Sequence, residues 1–192
     1  MTQIPQNAKL VFNGILFKIY QWEQKMFDGT YETFEVALRN DNVQVLTTLN
    51  DKIILIKEKQ PDFNNYKIGL PGGNVDDNET PQIAGKRELL EETGIECKEL
   101  EFLSKDSLGS KVIRNFYIYI GRNSKKITQP LNTKGEKITV LELTFEDFIK
   151  ETQKENFRNP KLKEIIKTIL ETPGELEKFK KRLFQKTQLN NI

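Results

Sequence analysis

The chain has no histidine and a single cysteine, Cys97, in 192 residues. Without histidine there is no imidazole general base and no histidine-bound zinc. Acid–base and metal chemistry must fall to carboxylates, lysines, tyrosines or the backbone. Carboxylate oxygens suit hard ions such as magnesium and manganese. One thiol cannot close an intrachain disulfide, which favours a reducing, cytoplasmic setting. No apolar run approaches the roughly 20 residues that cross a bilayer. The start, MTQIPQNAKL, also lacks the basic and apolar segments of a secretory signal. Nor is the charge lopsided: 30 basic against 28 acidic residues leave a net +2, so neither nucleic acid nor a membrane is expected as a partner.

What is present suits a globular domain, or a domain plus an arm, with 36% hydrophobic residues. Residues 9–39 read as an antiparallel meander. Val11, Phe12, Ile15, Phe17 and Ile19 are apolar and β-prone, and Asp28-Gly29 marks a hairpin between 24–27 and 31–38. A second pair spans 43–49 and 52–59 with Asn50-Asp51 at the turn. A loop follows, ending in Gly69-Leu70-Pro71-Gly72-Gly73, then a helix over 80–93. Strands are expected at about 99–104, 111–121 and 137–144, and helices at about 145–153, 159–171 and 174–186. Strands first and helices later argue for an α+β or mixed α/β sandwich. The chain reads as an arm, 1–39, and a main domain, 40–192, although the join at 40–42 is too short for a flexible linker. The basic stretch GELEKFKKRLF reads as an amphipathic helix with a solvated lysine face, since Leu176, Phe179 and Leu183 recur at helical spacing.

The chemistry concentrates in 72–95. Thr80 can cap the helix, Pro81 suits its first position, and Gly94 stands where a left-handed residue ends it. At about 100° per residue, Glu88, Glu91 and Glu92 fall on one face, where like charges repel unless a cation sits among them. Ala84 and Gly85 are expected to face the same side and leave space above the carboxylates, with Ile83 and Leu90 turned to the core. Arg87 can pair with Glu91 or reach back to Glu79, orienting the carboxylates. Gly72 and Gly73 let the backbone approach closely enough for a carbonyl to join a coordination shell. The plainer explanation is a surface helix that happens to be rich in glutamate. The joint pattern of glycine turn, distant Glu79, Arg-Glu, Glu-Glu and terminal glycine argues against it.

This segment resembles the Nudix box, G-x5-E-x7-R-E-U-x-E-E-x-G-U with U apolar. It matches at Gly73, Glu79, Arg87, Glu88, Leu89, Glu91, Glu92, Gly94 and Ile95. The resemblance implies an α/β/α sandwich with a mixed sheet. It also implies hydrolysis of a nucleoside diphosphate linked to another moiety, with two or three magnesium or manganese ions bridging the diphosphate. Carried over by position, Glu88, Glu91, Glu92 and the Gly72 carbonyl are the metal-site candidates. Glu92 and Arg87 count among the catalytic candidates, and Gly73, Glu79, Ala84, Gly85 and Gly94 support the site. Many members add a glutamate from a loop beyond the box, as ligand or base. Glu136 is the candidate here, with Glu142 and Glu146 as weaker alternatives.

The region before the box resembles the branch that cleaves ADP-ribose or other nucleoside diphosphate sugars. That branch carries an N-terminal antiparallel arm exchanged across a homodimer. By that likeness Trp22 or Phe34 would stack on a base, Arg39 would contact phosphate, and Glu35 and Gln60 would contact the nucleotide sugar. Aromatics in strands are more often packing, and an arginine at a strand end is more often solvated. Two departures stand against ADP-ribose itself. No proline occurs between Pro81 and Pro130, where that branch places one in the loop after the box, and Pro61-Asp62 follows Glu58-Lys59-Gln60 in place of an arginine. GDP-mannose is a competing substrate. A nucleotide-sensing module and a triphosphate-sanitising enzyme remain the alternative functions.

Overall fold

The computed structural model describes residues 4–61, 65–131 and 135–185. Three antiparallel strands open the chain: β1 (Lys9–Asn13), β2 (Lys18–Lys25) and β3 (Tyr31–Leu38). Their second hairpin forms where expected. Gly29 takes φ +90°, and the Asp28 carboxylate accepts from the Thr30 amide at 3.0 Å, closing the turn. Next come β4 (Asn42–Leu49) and β5 (Lys52–Lys59), joined through Asn50 at φ +56°. The short strands β6 (Lys67–Gly69) and β7 (Gly72–Asn74) lead into helix α1 (Pro81–Thr93). Then follow β8 (Ile95–Glu96), β9 (Glu99–Leu108), β10 (Val112–Arg122), β11 (Lys125–Lys126) and β12 (Lys137–Leu143). Helices α2 (Phe145–Thr152), α3 (Pro160–Glu171) and α4 (Glu175–Phe184) close the described chain.

The strands form a mixed sheet in the order β1-β2-β3-β10-β4-β5-β12, with β9 beside β10, β7 beside β4 and β6 beside β5. Strand β10 holds this order together. Its first residues run parallel to β3 in the register Val112↔Ala37 and Ile113↔Leu38. Its later residues run parallel to β4 from Phe116↔Asn42 to Gly121↔Thr47. Local patterning predicts hairpins, but a parallel pairing made across some 70 residues leaves no mark in periodicity.

Alternation along β4 and β5 assigns the two faces. Val43, Val45 and Ile54 face α1 with Leu89, Ile95 and Cys97. Leu46, Ile53 and Leu55 face the other way and pack with Phe145, Phe148, Leu162, Ile166, Phe179 and Leu183 from α2, α3 and α4. The result is the sandwich expected, with one helix over one face and three over the other. The lysines of α4 lie outward while Phe179 and Leu183 are buried, as the amphipathic pattern predicts.

One expectation for α1 is corrected. Ala84 and Gly85 do not open space above the carboxylates; both are buried against the sheet. A β-carbon on Gly85 would stand 3.2 Å from the side chains of Val43 and Leu100. Ile83, expected in the core, is 56% exposed, and Leu90 is only half-buried. The inward face is Ala84, Gly85, Leu89, Glu92 and Thr93. Small residues there let the helix axis approach the sheet closely. Glu92 therefore belongs to the inward face itself, at the end that meets the glycine turn.

Candidate active site

The start of α1 is set by its caps. The Thr80 hydroxyl accepts from the Ile83 amide at 3.3 Å, Pro81 follows, and Gly94 ends the helix at φ +70°. Between these caps Arg87 gathers the acidic residues. Its Nε and Nη2 donate to the two Glu79 oxygens at 2.8 and 2.9 Å, and Nη1 donates to Glu88 at 2.8 Å and Glu91 at 3.3 Å. Nη2 also reaches the Asn74 carbonyl at 3.1 Å, tying the helix to β7. The paired guanidinium holds the Glu79 carboxyl down at about 2, and Glu79 in turn raises Arg87. Arg87 thus orients the carboxylates, as its sequence position suggests.

Glu92 lies outside that network. It is 8% exposed, and its carboxylate accepts from the Gly72 amide at 2.6 Å. Burial pushes its pKa up to about 8, against that hydrogen bond, with Glu88 adding repulsion. Burial also raises Glu88. The glycine turn makes this closeness possible. Gly72 adopts φ +149° and lies so near Val43 that a β-carbon would collide with its carbonyl. A β-carbon on Gly73 would strike the Glu88 carboxylate. The Asn42 side chain donates through Nδ2 to the Gly73 carbonyl at 2.8 Å and fixes the turn from β4.

These groups open onto a cavity of about 440 Å³. Of the residues singled out in the sequence, Gly72, Gly73, Glu88, Glu92, Arg39, Gln60 and Glu136 line it. Gln60 joins two of its acids, since Nε2 donates to Glu136 at 3.2 Å and also to Glu58. Glu91 is held by Arg87 at 3.3 Å and is not among the residues that line the cavity. Of the arm residues, Trp22, Phe34 and Glu35 lie elsewhere in this chain. Trp22 is buried against Phe34 at 6.1 Å between ring centroids, and Glu35 accepts from Gln21 at 2.9 Å. Glu142 is exposed on β12 and Glu146 is paired with Lys180 at 2.6 Å, outside the cavity.

The structure adds residues that local pattern did not reveal. Glu58, 5% exposed, is ion-paired with Arg158 from the loop before α3. That loop is pinned to β6 by the Arg158 amide, which donates to the Ile68 carbonyl at 2.7 Å, and by Asn159, whose side chain accepts from the Leu70 amide at 2.8 Å. Lys67, Arg114 and Phe116 complete the walls. Glu58 at a strand end next to Gln60 was a detectable polar interruption in an apolar strand. Arg158 stands 100 residues from its partner, and no spacing rule reaches that far.

The donor set suits a hard divalent cation. Two carboxylates, the half-buried Glu88 and the buried Glu92, face one cavity beside a close backbone turn, and desolvation disfavours their charged forms until positive charge is supplied. Among the described residues no three acidic groups converge on one point as the side chains stand. Arg87 holds Glu88 and Glu91 on one side while Glu92 turns to the glycine amide.

A family model described as NUDIX domain matches residues 38–165. The ADP-ribose pyrophosphatase of Bacillus subtilis is 23% identical over 146 residues, covering 73% of this chain and 77% of that protein. A methanol dehydrogenase activator of Bacillus methanolicus is 25% identical over 149 residues, 73% of this chain and 80% of that one. The ADP compounds hydrolase NudE of Escherichia coli is 30% identical over 105 residues, 53% of this chain and 56% of its own. A crystal structure of an ADP compounds hydrolase superposes with a TM-score of 0.68 at 19% identity, over 86% of this chain and 91% of that one, which speaks to fold.

Proposed function

Since the chain belongs to the NUDIX domain family and is a pyrophosphohydrolase, we propose that it splits the pyrophosphate bond of a nucleoside diphosphate sugar, ADP-ribose or a close analogue, into a nucleoside monophosphate and a sugar phosphate. The observation that carries this reading is the pair of carboxylates, half-buried Glu88 and buried Glu92, opening with a glycine turn onto a cavity that also holds arginines. Acids for cations and guanidiniums for phosphate are the parts a diphosphate needs.

Glu88, Glu91, Glu92 and the Gly72 carbonyl would hold two or three magnesium or manganese ions. Such ions, when bound, neutralise charge on the diphosphate and lower the pKa of water. Arg87 keeps Glu88 and Glu91 aligned through its contacts to both. Glu136 is the candidate base, positioned by its hydrogen bond from Gln60. The arm supplies Arg39 to the cavity, while Trp22, Phe34 and Glu35 would serve the base of a substrate bound across a homodimer. The surface available for that association is apolar: Leu10, Val11, Phe12, Ile15 and Leu16 are all at least 47% exposed. A single, buried Cys97 suits a reducing cytoplasm.

The test is incubation with magnesium and a panel of ADP-ribose, ADP-glucose, GDP-mannose and deoxynucleoside triphosphates, with products identified by mass. Monophosphate plus sugar phosphate is expected. Turnover of triphosphates alone, or of nothing, would overturn the reading.

A further inference from the structure

Six arginines occur in the chain. Four are tied to carboxylates: Arg87 to Glu79, Arg122 and Arg182 to Glu101, and Arg158 to Glu58. Among the described residues Arg39 and Arg114 have no such partner, and both line the active-site cavity. They are neighbours by construction of the sheet. Strand β10 runs parallel to β3 with Val112 opposite Ala37 and Ile113 opposite Leu38, and the Arg39 amide donates to the Ile113 carbonyl at 3.0 Å. The next step of that register sets Arg114 opposite Arg39. Like charges directly across adjacent strands destabilise a sheet. Asp41 offsets this repulsion only in part, through space to Arg114, since its carboxylate is engaged by the Asn115 backbone and side chain at 2.8 to 3.1 Å.

We propose that Arg39 and Arg114 form a two-guanidinium clamp for one phosphate of the substrate's diphosphate, with Arg114 the residue that fixes its position relative to the glutamates. The inference rests on the pyrophosphohydrolase reading only in naming the diphosphate as ligand. Arg114 is oriented before any ligand arrives. Its Nε donates to the Asn40 carbonyl at 3.0 Å, its Nη2 donates to the Asn74 side chain at 2.8 Å, and its guanidinium lies 4.9 Å from the Phe116 ring centroid. Both protein acceptors are neutral, so its charge stays unspent. Arg39 rests on the Phe17 ring at 5.4 Å, and its Nε is buried with no hydrogen-bond partner. A buried donor without an acceptor is costly, and an oxyanion would complete it with a charge-assisted hydrogen bond. Asn74 links this clamp to the catalytic helix. It adjoins Gly73, which touches Glu88, and its carbonyl accepts from Arg87 at 3.1 Å. A phosphate held by Arg39 and Arg114 therefore lies beside the carboxylates, on the β10 side of the cavity.

The experiment is calorimetric titration with methylenediphosphonate, a diphosphate that cannot be hydrolysed, in magnesium buffer. The parent protein is expected to bind it. Arg114→Gln and Arg39→Gln should each raise Kd at least tenfold, while Arg182→Gln, which alters an arginine tied to Glu101 away from the cavity, should leave Kd unchanged. Arg114 also bridges Asn40 and Asn74, so Arg39→Gln, which breaks no side-chain hydrogen bond among the described residues, separates loss of binding from loss of folding. Wild-type affinity in Arg114→Gln or Arg39→Gln, or no binding by the parent, would overturn the clamp. If the diphosphonate binds as expected but no sugar nucleotide is turned over, the proposed reaction fails while the clamp stands.

Discussion

Replacing Glu92 by glutamine should stabilise the metal-free protein, although it removes a residue at the centre of the site. Glu92 titrates near 8 in the folded chain against a usual 4.5, chiefly because burial disfavours its charge. A carboxyl raised in this way favours folding fully below its unfolded value of about 4.5, and that contribution is lost as the pH climbs to 8. At pH 7, well above the unfolded value but below the folded one, the folded carboxyl is mostly protonated, and taking up that proton on folding costs about 3 kcal/mol. Burial is nearly complete, so solvent screening takes little from this figure. Glu88 is shifted the same way and adds to the slope. Glu79, held near 2 by Arg87, acts in the opposite sense but below pH 4.5, outside that window. Glutamine keeps an oxygen for the Gly72 amide, now 2.6 Å from Glu92, and carries no charge. In EDTA, thermal unfolding followed by circular dichroism should place Glu92→Gln about 5 to 10 °C above the parent at pH 7 to 8, for a chain of this size. The two should converge at pH 4.5. Added magnesium should then raise the parent's Tm and close the gap. A variant no more stable than the parent at pH 8, or a difference that ignores pH, would refute the idea that Glu92 is a buried charge awaiting a cation.

Three further outcomes follow from the geometry. Gly73→Ala should fold yet lose on the order of a hundredfold in turnover, because its methyl displaces the Glu88 carboxylate; near-normal kcat with intact circular dichroism would show that Glu88 need not occupy that position. Glu136→Gln should lower kcat by about a hundredfold with little change in KM, as expected of a general base, and an unchanged pH–rate profile would remove Glu136 from that role. Phe12→Asp combined with Ile15→Asp should convert a dimer to a monomer in light scattering, since both side chains lie exposed on the arm; a parent already monomeric at working concentrations would end the exchanged-arm proposal.

Much of the scaffold could be read locally, and the reasons are physical. The hairpin at Asp28-Gly29, the β4–β5 turn at Asn50 and the α1 caps at Thr80 and Gly94 each depend on a few adjacent residues. The box residues were identifiable because their spacing is helical and their chemistry shared. The helix was nevertheless assigned the wrong inward side at Ala84 and Gly85. Small residues serve equally to leave room and to bring backbones together, and only the partner surface of Val43, Val45 and Leu100 decides between them. Arg158, Glu58 and Arg114 matter through partners 40 to 100 residues away. Nothing within a single element distinguishes Arg158 or Arg114 from a solvated charge.

Strand β10 has a bearing on how such a protein can change over time. Because one strand lies along both β3 and β4, the arm is not a module that can be traded freely between relatives. A grafted arm would have to arrive with its final rung in step with Val112 and Ile113, or the arginine at its end would miss its counterpart across the groove. Substitutions at the tip of the arm are free to drift, whereas insertions or deletions of a single residue near Leu38 are penalised at a distance, in what the enzyme can grip.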